Sequence, residues 1–151
     1  MFTAETQIRV RYGETDQMGY LYYGHYALYY EVGRTEALRG LGYSYRNMEE
    51  MGMILVVTEF QCKYLRPARY DDLITVRTSI RQWPTGFKIS FHSELLNQQD
   101  LLLNAGKVSL VLLDGVTRQK RDLPKELMDL LKPYFPNNPP TNEGYPALIS
   151  R

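Results

Sequence analysis

Cysteine and histidine are scarce in this sequence, and their scarcity limits the chemistry that the chain can carry. The 151 residues include one cysteine, Cys62, and two histidines, His25 and His92. A single cysteine excludes a disulfide bond within the chain and is typical of a reducing compartment. A structural zinc site needs four clustered ligands and a catalytic site three, which these widely spaced residues do not offer. We therefore expect no metal and no cofactor.

Long apolar runs and an excess of charge are also absent. No apolar stretch approaches the ~20 residues that cross a bilayer, and the opening residues, MFTAETQIRVRYGETD, lack the basic-then-apolar pattern of a secretory signal. The net charge is +1, which gives no broad attraction to nucleic acid or to an anionic membrane. The sequence predicts a cytoplasmic protein that neither inserts into membranes nor binds nucleic acid.

Hydrophobic periodicity predicts one long helix followed by a run of strands. Residues 22–40 have helical spacing, and their first half, YYGHYALYY, is apolar nearly all round, which is typical of a helix enclosed by protein. Gly33 lies inside this helix, where we expect another backbone to pass close to it. Alternating patterns predict strands over residues 7–12, 53–66, 73–83, 87–96 and 101–113. In residues 53–66, alternation predicts that Ile54, Val56, Phe60 and Tyr64 face inward.

Shorter signals complete the predicted architecture. Residues 84–86 and 97–100 have the composition of hairpin turns. Residues 44–51 and 124–131 read as short helices, the first beginning at Ser44 and the second with Pro124 in its first turn. A helix that is apolar on most sides needs a twisted sheet to wrap it. We therefore predict an α+β fold with one domain over residues 1–135 and a mobile tail, rich in Pro and Asn, over residues 136–151.

The segment around the start of the long helix carries the strongest functional signal. The stretch RYGETDQMGYLYYGHYALYYEVGRTEALR places Asp16 three residues before Gly19 and ahead of an aromatic-rich helix. It resembles the opening of the hotdog-fold thioesterases related to 4-hydroxybenzoyl-CoA thioesterase, including the bacterial short-chain acyl-CoA branch. A second stretch, YLRPARYDDLITVRTSI, resembles the strand-turn-strand of the same family, and the similarity extends to DLPKEL at residues 122–127. The resemblance implies a hotdog fold, in which a five-stranded antiparallel sheet wraps a long central helix.

Physical chemistry gives the same segment a plausible reaction. Thioester hydrolysis needs a group that attacks the carbonyl or activates water, and donors for the oxyanion that forms. The first amides of a helix are unpaired and lie at the positive end of its dipole, so the N–H groups of residues 22–24 are candidate donors. The resemblance implies that Asp16 is the nucleophile or general base, that the Tyr23 backbone N–H is an oxyanion donor, and that Gly19 belongs to the same catalytic turn. Glu14 is expected to be solvated.

The substrate implied by the resemblance is an acyl-CoA, whose phosphates call for basic side chains at a pocket mouth. Residues expected to contact it are Tyr22, Gly24, His25 and Tyr26 near the helix start, and Arg66, Arg69 and Arg81 farther along the chain. Cys62 reads as a half-buried strand residue and not as a nucleophile, because no histidine partner is suggested.

The sequence leaves two other functions open and disfavours a third. An acyl-carrier-protein thioesterase would use the same chemistry on a protein-bound thioester. A non-catalytic module would keep the fold and bind an acyl thioester or a partner, with Asp16 acting only as a turn residue. The dehydratases of the same fold use a catalytic histidine, and the surroundings of His25 do not resemble theirs. The exposed edges of a single sheet predict a homodimer or homotetramer, and the family implies dimers that join their sheets edge to edge.

Overall fold

The structure is a computed structural model that describes residues 1–137. Within these residues five strands form one antiparallel sheet in the order β1-β3-β4-β5-β2. The strands are β1 (Phe2–Arg9), β2 (Met53–Tyr64), β3 (Leu73–Ile80), β4 (Lys88–Leu96) and β5 (Leu102–Asp114). The helices are α1 (Tyr26–Leu41), α2 (Tyr45–Glu50) and α3 (Lys125–Leu131). The predicted hotdog architecture is confirmed.

Three strands follow their predicted alternation closely. Ile74, Val76 and Ile80 of β3 are fully buried, and the inward residues of β4 and β5 are equally enclosed. Apolar residues at every second position of a strand share one face, so each of these strands contributes a continuous apolar surface beneath α1. The first strand is longer and earlier than predicted, since β1 begins at Phe2 and ends at Arg9.

Helix α1 lies against the sheet through one face. Gly33 makes the close approach possible: a Cβ at this position would lie 2.5 Å from Val76 Cγ1 and 2.6 Å from Thr78 Oγ1. The expectation that a backbone passes there is wrong, because the neighbours are two side chains of β3. The helix is also less enclosed than predicted, since Leu28 is 52% exposed and Val32 is 41% exposed. The sheet covers one side of α1 and leaves the other open.

The long edge strand β2 departs most from its predicted burial. Val56, Phe60 and Tyr64 are 38%, 42% and 49% exposed, although they were expected to face inward. Strand β2 pairs with β5 on one side only, and its register shifts between Val57 and Glu59. Alternation reports the face of a strand, and it does not report whether the strand lies at an edge where that face is only partly covered.

The two short helices are confirmed with small changes in their boundaries. The Ser44 side chain accepts a hydrogen bond from the Asn47 amide, so Ser44 is the N-cap of α2 as predicted. Pro124 precedes α3 as its N-cap residue and is not in its first turn. The predicted tail falls almost entirely in residues 138–151, which lie outside the described residues. No helix of residues 1–137 is long and apolar enough to cross a membrane.

Candidate active site

A tightly hydrogen-bonded loop carries Asp16 between β1 and α1. The Asp16 amide donates to the Tyr20 carbonyl at 2.9 Å, and the Gly19 amide donates back to the Asp16 carbonyl at 3.0 Å. Gly19 has φ of 77°, a left-handed conformation that glycine adopts without the steric cost paid by other residues. Gly19 therefore lets the chain reverse direction directly after Asp16.

The Asp16 carboxylate is fixed by the loop that carries it. Its Oδ1 accepts hydrogen bonds from the amides of Met18 at 2.9 Å and Tyr20 at 3.2 Å. Its Oδ2 has no hydrogen-bond donor among the residues that the structure describes. Asp16 is half-buried. One carboxylate oxygen is thus anchored, and the other is available to a ligand.

The chain enters α1 through a 3-10 turn, Tyr23–His25, that leaves two amides without protein acceptors. The Tyr22 amide donates to the Glu14 carbonyl, and the His25 amide donates to the Tyr22 carbonyl, both at 2.9 Å. Within residues 1–137, no acceptor is found for the amides of Tyr23 and Gly24. The expectation that the Tyr22 amide is free is therefore wrong, whereas the two amides after it are free. Unpaired amides at the start of a helix can donate hydrogen bonds to an oxygen that becomes negatively charged, and so stabilise it.

Tyr64, at the end of β2, contacts the 3-10 turn through its hydroxyl. The Tyr64 hydroxyl donates to the Tyr23 carbonyl at 3.0 Å. This carbonyl shares its peptide plane with the Gly24 N–H, so the hydrogen bond fixes the direction of that amide. The Tyr64 ring packs edge-on against the Tyr26 ring with centroids 5.0 Å apart.

These elements line an open cavity of about 300 Å³. Asp16 and Tyr23 lie in its wall together, and aromatic and aliphatic side chains form most of the rest. The lining residues are Asp16, Met18, Tyr20, Leu21, Tyr23, Tyr26, Tyr64, Leu65, Arg66 and Pro67. Asp16 and Tyr23, the first residue of the turn with free amides, therefore line one mainly apolar pocket, which is the usual character of a small-molecule site.

The hydroxyls of Tyr26 and Tyr64 in this cavity stay protonated at physiological pH. Burial raises the pKa of Tyr26, with smaller contributions from Cys62 and Asp16, although the Ala68 amide opposes the shift. Partial desolvation, together with Cys62, raises the pKa of Tyr64 to about 12. Each hydroxyl is therefore a neutral hydrogen-bond donor and not an acid that titrates near neutral pH.

Four of the residues predicted from the sequence line the cavity: Asp16, Tyr23, Tyr26 and Arg66. Arg66 is exposed, and its Nη1 donates to the Leu102 carbonyl at 2.9 Å. Its guanidinium therefore lies at the surface end of the cavity wall.

The other predicted residues near the helix start lie beside the cavity. Gly19 and Gly24 belong to the two turns. The Tyr22 ring packs against the Tyr23 ring at 4.7 Å and against the His25 ring at 5.9 Å. The His25 Nδ1 is buried without a hydrogen-bond partner among the described residues. These side chains support the amide turn from outside.

The two remaining arginines differ in their distance from the site. The Arg69 guanidinium lies over the ring of Tyr20, 5.0 Å from its centroid, and so borders a cavity residue. Arg81 follows β3, where its Nη2 contacts Glu94 at 3.2 Å. The structure does not bring Arg81 to this cavity.

Sequence reasoning missed two features of the site. Glu14 is not solvated as expected: it is half-buried, and its Oε1 accepts a hydrogen bond from the Tyr29 hydroxyl at 2.9 Å. Tyr64 was predicted only as an inward residue of a strand, and its place in the cavity wall, together with Leu65 and Pro67 on either side of the predicted Arg66, was not anticipated. Nothing in the local sequence around these residues indicates that the end of β2 passes over the start of α1.

Comparisons with known proteins show the family to which this chain belongs. The sequence model of the thioesterase-like superfamily matches residues 10–131. The acyl-CoA thioester hydrolase YbgC of Escherichia coli is 32% identical over 121 residues, which is 80% of this chain and 90% of that protein. The acyl-CoA thioesterase YbgC of Haemophilus influenzae is 31% identical over 121 residues, covering 80% of this chain and 88% of that protein.

A solved structure extends the likeness to three dimensions. The DHNA-CoA thioesterase of Staphylococcus aureus matches with a TM-score of 0.78 and 30% identity, over 91% of this chain and 86% of that chain. The fold and the class of enzyme predicted from the sequence, a hotdog-fold thioester hydrolase, are confirmed. The chain belongs to the thioesterase-like superfamily.

Proposed function

We propose that the protein is an acyl-CoA thioesterase that hydrolyses its substrate to a free acid and coenzyme A. The observation that carries the proposal is the shared cavity of Asp16 and the amide turn. Asp16 is the nucleophile or general base, and the Tyr23 N–H, with the Gly24 N–H beside it, is the oxyanion donor. Both donors are free of protein acceptors within residues 1–137, so they need no rearrangement before they bind a carbonyl oxygen.

Two balanced routes use these groups. As a general base, the free Oδ2 of Asp16 takes a proton from water while the water oxygen bonds to the acyl carbon. The carbonyl oxygen becomes an oxyanion, which the amides stabilise. The C–S bond then breaks, and the CoA thiolate recovers the proton. As a nucleophile, the carboxylate oxygen bonds to the acyl carbon and expels the thiolate, and water hydrolyses the resulting anhydride.

The proposed chemistry requires no metal or cofactor, because the Asp16 carboxylate supplies the base or nucleophile and the backbone amides supply the hydrogen bonds that stabilise the oxyanion. Within residues 1–137, no group of three His, Cys, Asp or Glu side chains is arranged to hold a metal ion.

The cavity favours a short or aromatic acyl group. Its volume of about 300 Å³ is at the lower end of the ~300–1,000 Å³ typical of ligand pockets. The rings of Tyr26 and Tyr64 form one wall, and Leu21 and Pro67 contribute aliphatic surface. Such walls bury an apolar group without leaving polar atoms unpaired.

The coenzyme A part of the bound substrate is proposed to extend out of the cavity past Arg66. The exposed Arg66 guanidinium has further N–H groups besides the one that contacts Leu102, and guanidinium groups bind phosphate in a bidentate manner. Arg69, which lies over Tyr20, provides a second cation nearby. The single cysteine is typical of a reducing compartment, so the protein is proposed to act in the cytoplasm.

The active form is proposed to be a homodimer or homotetramer that joins sheets through β2. This edge strand exposes Val56, Val57, Phe60 and Tyr64, and a monomer would leave this apolar surface and the unpaired strand edge open to aggregation. Tyr64 also touches the amide turn, so covering this edge would enclose the site. Light scattering of the purified protein should give a dimer or tetramer mass, and Val57→Lys should shift it toward the monomer.

A thiol-release assay across short, long and aromatic acyl-CoAs tests the proposal. The wild type should release thiol from at least one class, and Asp16→Asn should reduce kcat at least about 100-fold. Asp71→Asn is a matched control, because Asp71 is an exposed aspartate outside the cavity and asparagine tolerates its φ of 68°. Activity only on acyl carrier protein would redirect the proposal to that carrier. A wild type inactive on both carriers would favour the binding module and overturn it.

A further inference from the structure

The carboxylate of Glu14 joins the loop of Asp16 to helix α1. The hydroxyl of Tyr29, a helix residue that is only 2% exposed, donates to Glu14 Oε1 at 2.9 Å. The backbone amide of Arg11 donates to the same oxygen at 2.8 Å. Glu14 Oε1 therefore connects Arg11, which follows β1, with helix α1, and Glu14 itself belongs to the loop that carries Asp16.

The main chain of Glu14 extends this connection to the amide turn. Its carbonyl accepts the Tyr22 amide at 2.9 Å, and Tyr22 directly precedes the residue with the first free amide. In the other direction, Glu14 is two residues before Asp16, and Thr15 between them forms a bridge with Leu21. The two functional groups of the site are thus attached to either side of Glu14.

We infer that Glu14 and Tyr29 are positioning residues that set the Asp16 carboxylate relative to the Tyr23 and Gly24 amides. The inference rests on the proposed function for its catalytic consequence. Neither side chain lines the cavity, so neither contacts the acyl group there. Rigid placement matters because a displacement of about 1 Å in a reacting group costs on the order of 100-fold in rate.

Burial makes the pair a strong constraint. Tyr29 is held by the core on the sheet side of α1, and its hydroxyl has Glu14 as its hydrogen-bond acceptor. A charged acceptor gives a stronger hydrogen bond than a neutral one. Burial, followed by the hydrogen bond to Glu14, raises the pKa of Tyr29, so the hydroxyl keeps its proton and remains a donor throughout the working pH range.

The variants Tyr29→Phe, Glu14→Ala and Glu14→Gln test the inference. Tyr29→Phe and Glu14→Ala should each lower kcat about 10- to 100-fold while KM stays within about threefold, because the cavity wall is unchanged. The double variant should be no slower than the worse single variant, since both remove the same link. Glu14→Gln keeps an acceptor oxygen and should recover most of kcat.

Tyr43→Phe is the matched control for a lost buried hydroxyl. Tyr43 is 6% exposed, and its hydroxyl contacts the Met51 sulfur away from the cavity. Its kcat should equal that of the wild type. A kcat loss in Tyr43→Phe as large as that in Tyr29→Phe would indicate a general stability effect and overturn the inference.

Amide hydrogen exchange supplies a readout that does not depend on activity. In Tyr29→Phe, the amides of Tyr22, Met18 and Tyr20 should exchange at least about tenfold faster, while the sheet amide of Leu110 should not change. Unchanged exchange at all three amides, or a wild-type kcat in an active enzyme, overturns the inference. A wild type that hydrolyses no thioester would defeat the proposed function alone, and the exchange result would then decide the positioning role.

Discussion

Helix α1 contains two glycines, Gly33 and Gly40, whose surroundings differ. Replacing each with alanine should change the free energy of unfolding in opposite directions. A Cβ on Gly33 would lie 2.5 Å from Val76 Cγ1 and 2.6 Å from Thr78 Oγ1, and both of those residues are completely buried. Real Cβ contacts are essentially never this short, so either the helix or the buried β3 side chains must shift. A Cβ on Gly40 would meet nothing within 4 Å.

The magnitudes follow from two opposing effects. Alanine is favoured over glycine inside a helix by about 1 kcal/mol. Forcing extra atoms into a packed core costs roughly 1–3 kcal/mol, and the short contacts at Gly33 place the cost near the upper end. Gly33→Ala should therefore lower the free energy of unfolding by about 2 kcal/mol, whereas Gly40→Ala should raise it by up to about 1 kcal/mol.

Thermal denaturation separates the two variants. For a domain of this size, 1 kcal/mol corresponds to about 2–4 °C in Tm. We expect Gly33→Ala to melt about 4–8 °C below the wild type and Gly40→Ala to melt at or slightly above it. If Gly33→Ala were as stable as Gly40→Ala, the close packing of α1 on β3 would be refuted, and with it the placement of the helix start over the cavity.

Three further predictions concern the core, the pH dependence of stability and the absence of a metal requirement. Asn104 is fully buried, with hydrogen bonds to the Tyr30 hydroxyl and Cys62 Sγ. Asn104→Leu leaves the Tyr30 hydroxyl unpaired, so urea denaturation should show a loss of about 1–3 kcal/mol in the free energy of unfolding, and adding Tyr30→Phe should recover part of that loss. A double variant less stable than Asn104→Leu alone would contradict this prediction. Burial, followed by the positive charges of Arg81 and Lys107, lowers the pKa of His92 below its ordinary value of 6.5. As the pH falls below 6.5, the unfolded chain therefore binds a proton that the folded chain does not, and Tm should fall from pH 7 to pH 5.5 more in the wild type than in His92→Gln. An equal fall of Tm in both proteins would contradict this prediction. Dialysis against EDTA should leave thiol release unchanged, and a loss restored by added metal would disprove the metal-free chemistry.

Sequence patterns were sufficient for the architecture because they depend on local spacing. Ile74, Val76 and Ile80 alternate on β3, and the same period in β4 and β5 defines one apolar face, so these strands and their hairpins could be predicted. The helix was predictable in place but not in its degree of enclosure. Leu28 and Val32 are apolar and exposed, and composition alone cannot tell whether a sheet or solvent lies beside them.

The candidate site was predictable only where its residues are close in sequence. Asp16 and the amide turn are separated by a few residues and meet through a local reversal at Gly19. Tyr64 reaches the turn because β2 ends over the start of α1, and Glu14 is half-buried because Tyr29 points toward it. Both contacts depend on how distant elements pack. Arg81 was predicted wrongly for the same reason: it follows the end of β3, where it contacts Glu94 of β4, and it does not line the cavity.

The most direct test of the account is a crystal structure of Asp16→Asn with a slowly hydrolysed acyl-CoA bound. We predict that the acyl group fills the cavity, that the thioester carbonyl oxygen accepts a hydrogen bond of about 3 Å from the Tyr23 or Gly24 amide, and that the acyl carbon lies within about 3.5 Å of the residue 16 side chain or of a water bound to it. A thioester bound elsewhere, with both amides facing solvent and residue 16 remote from the acyl carbon, would contradict the account.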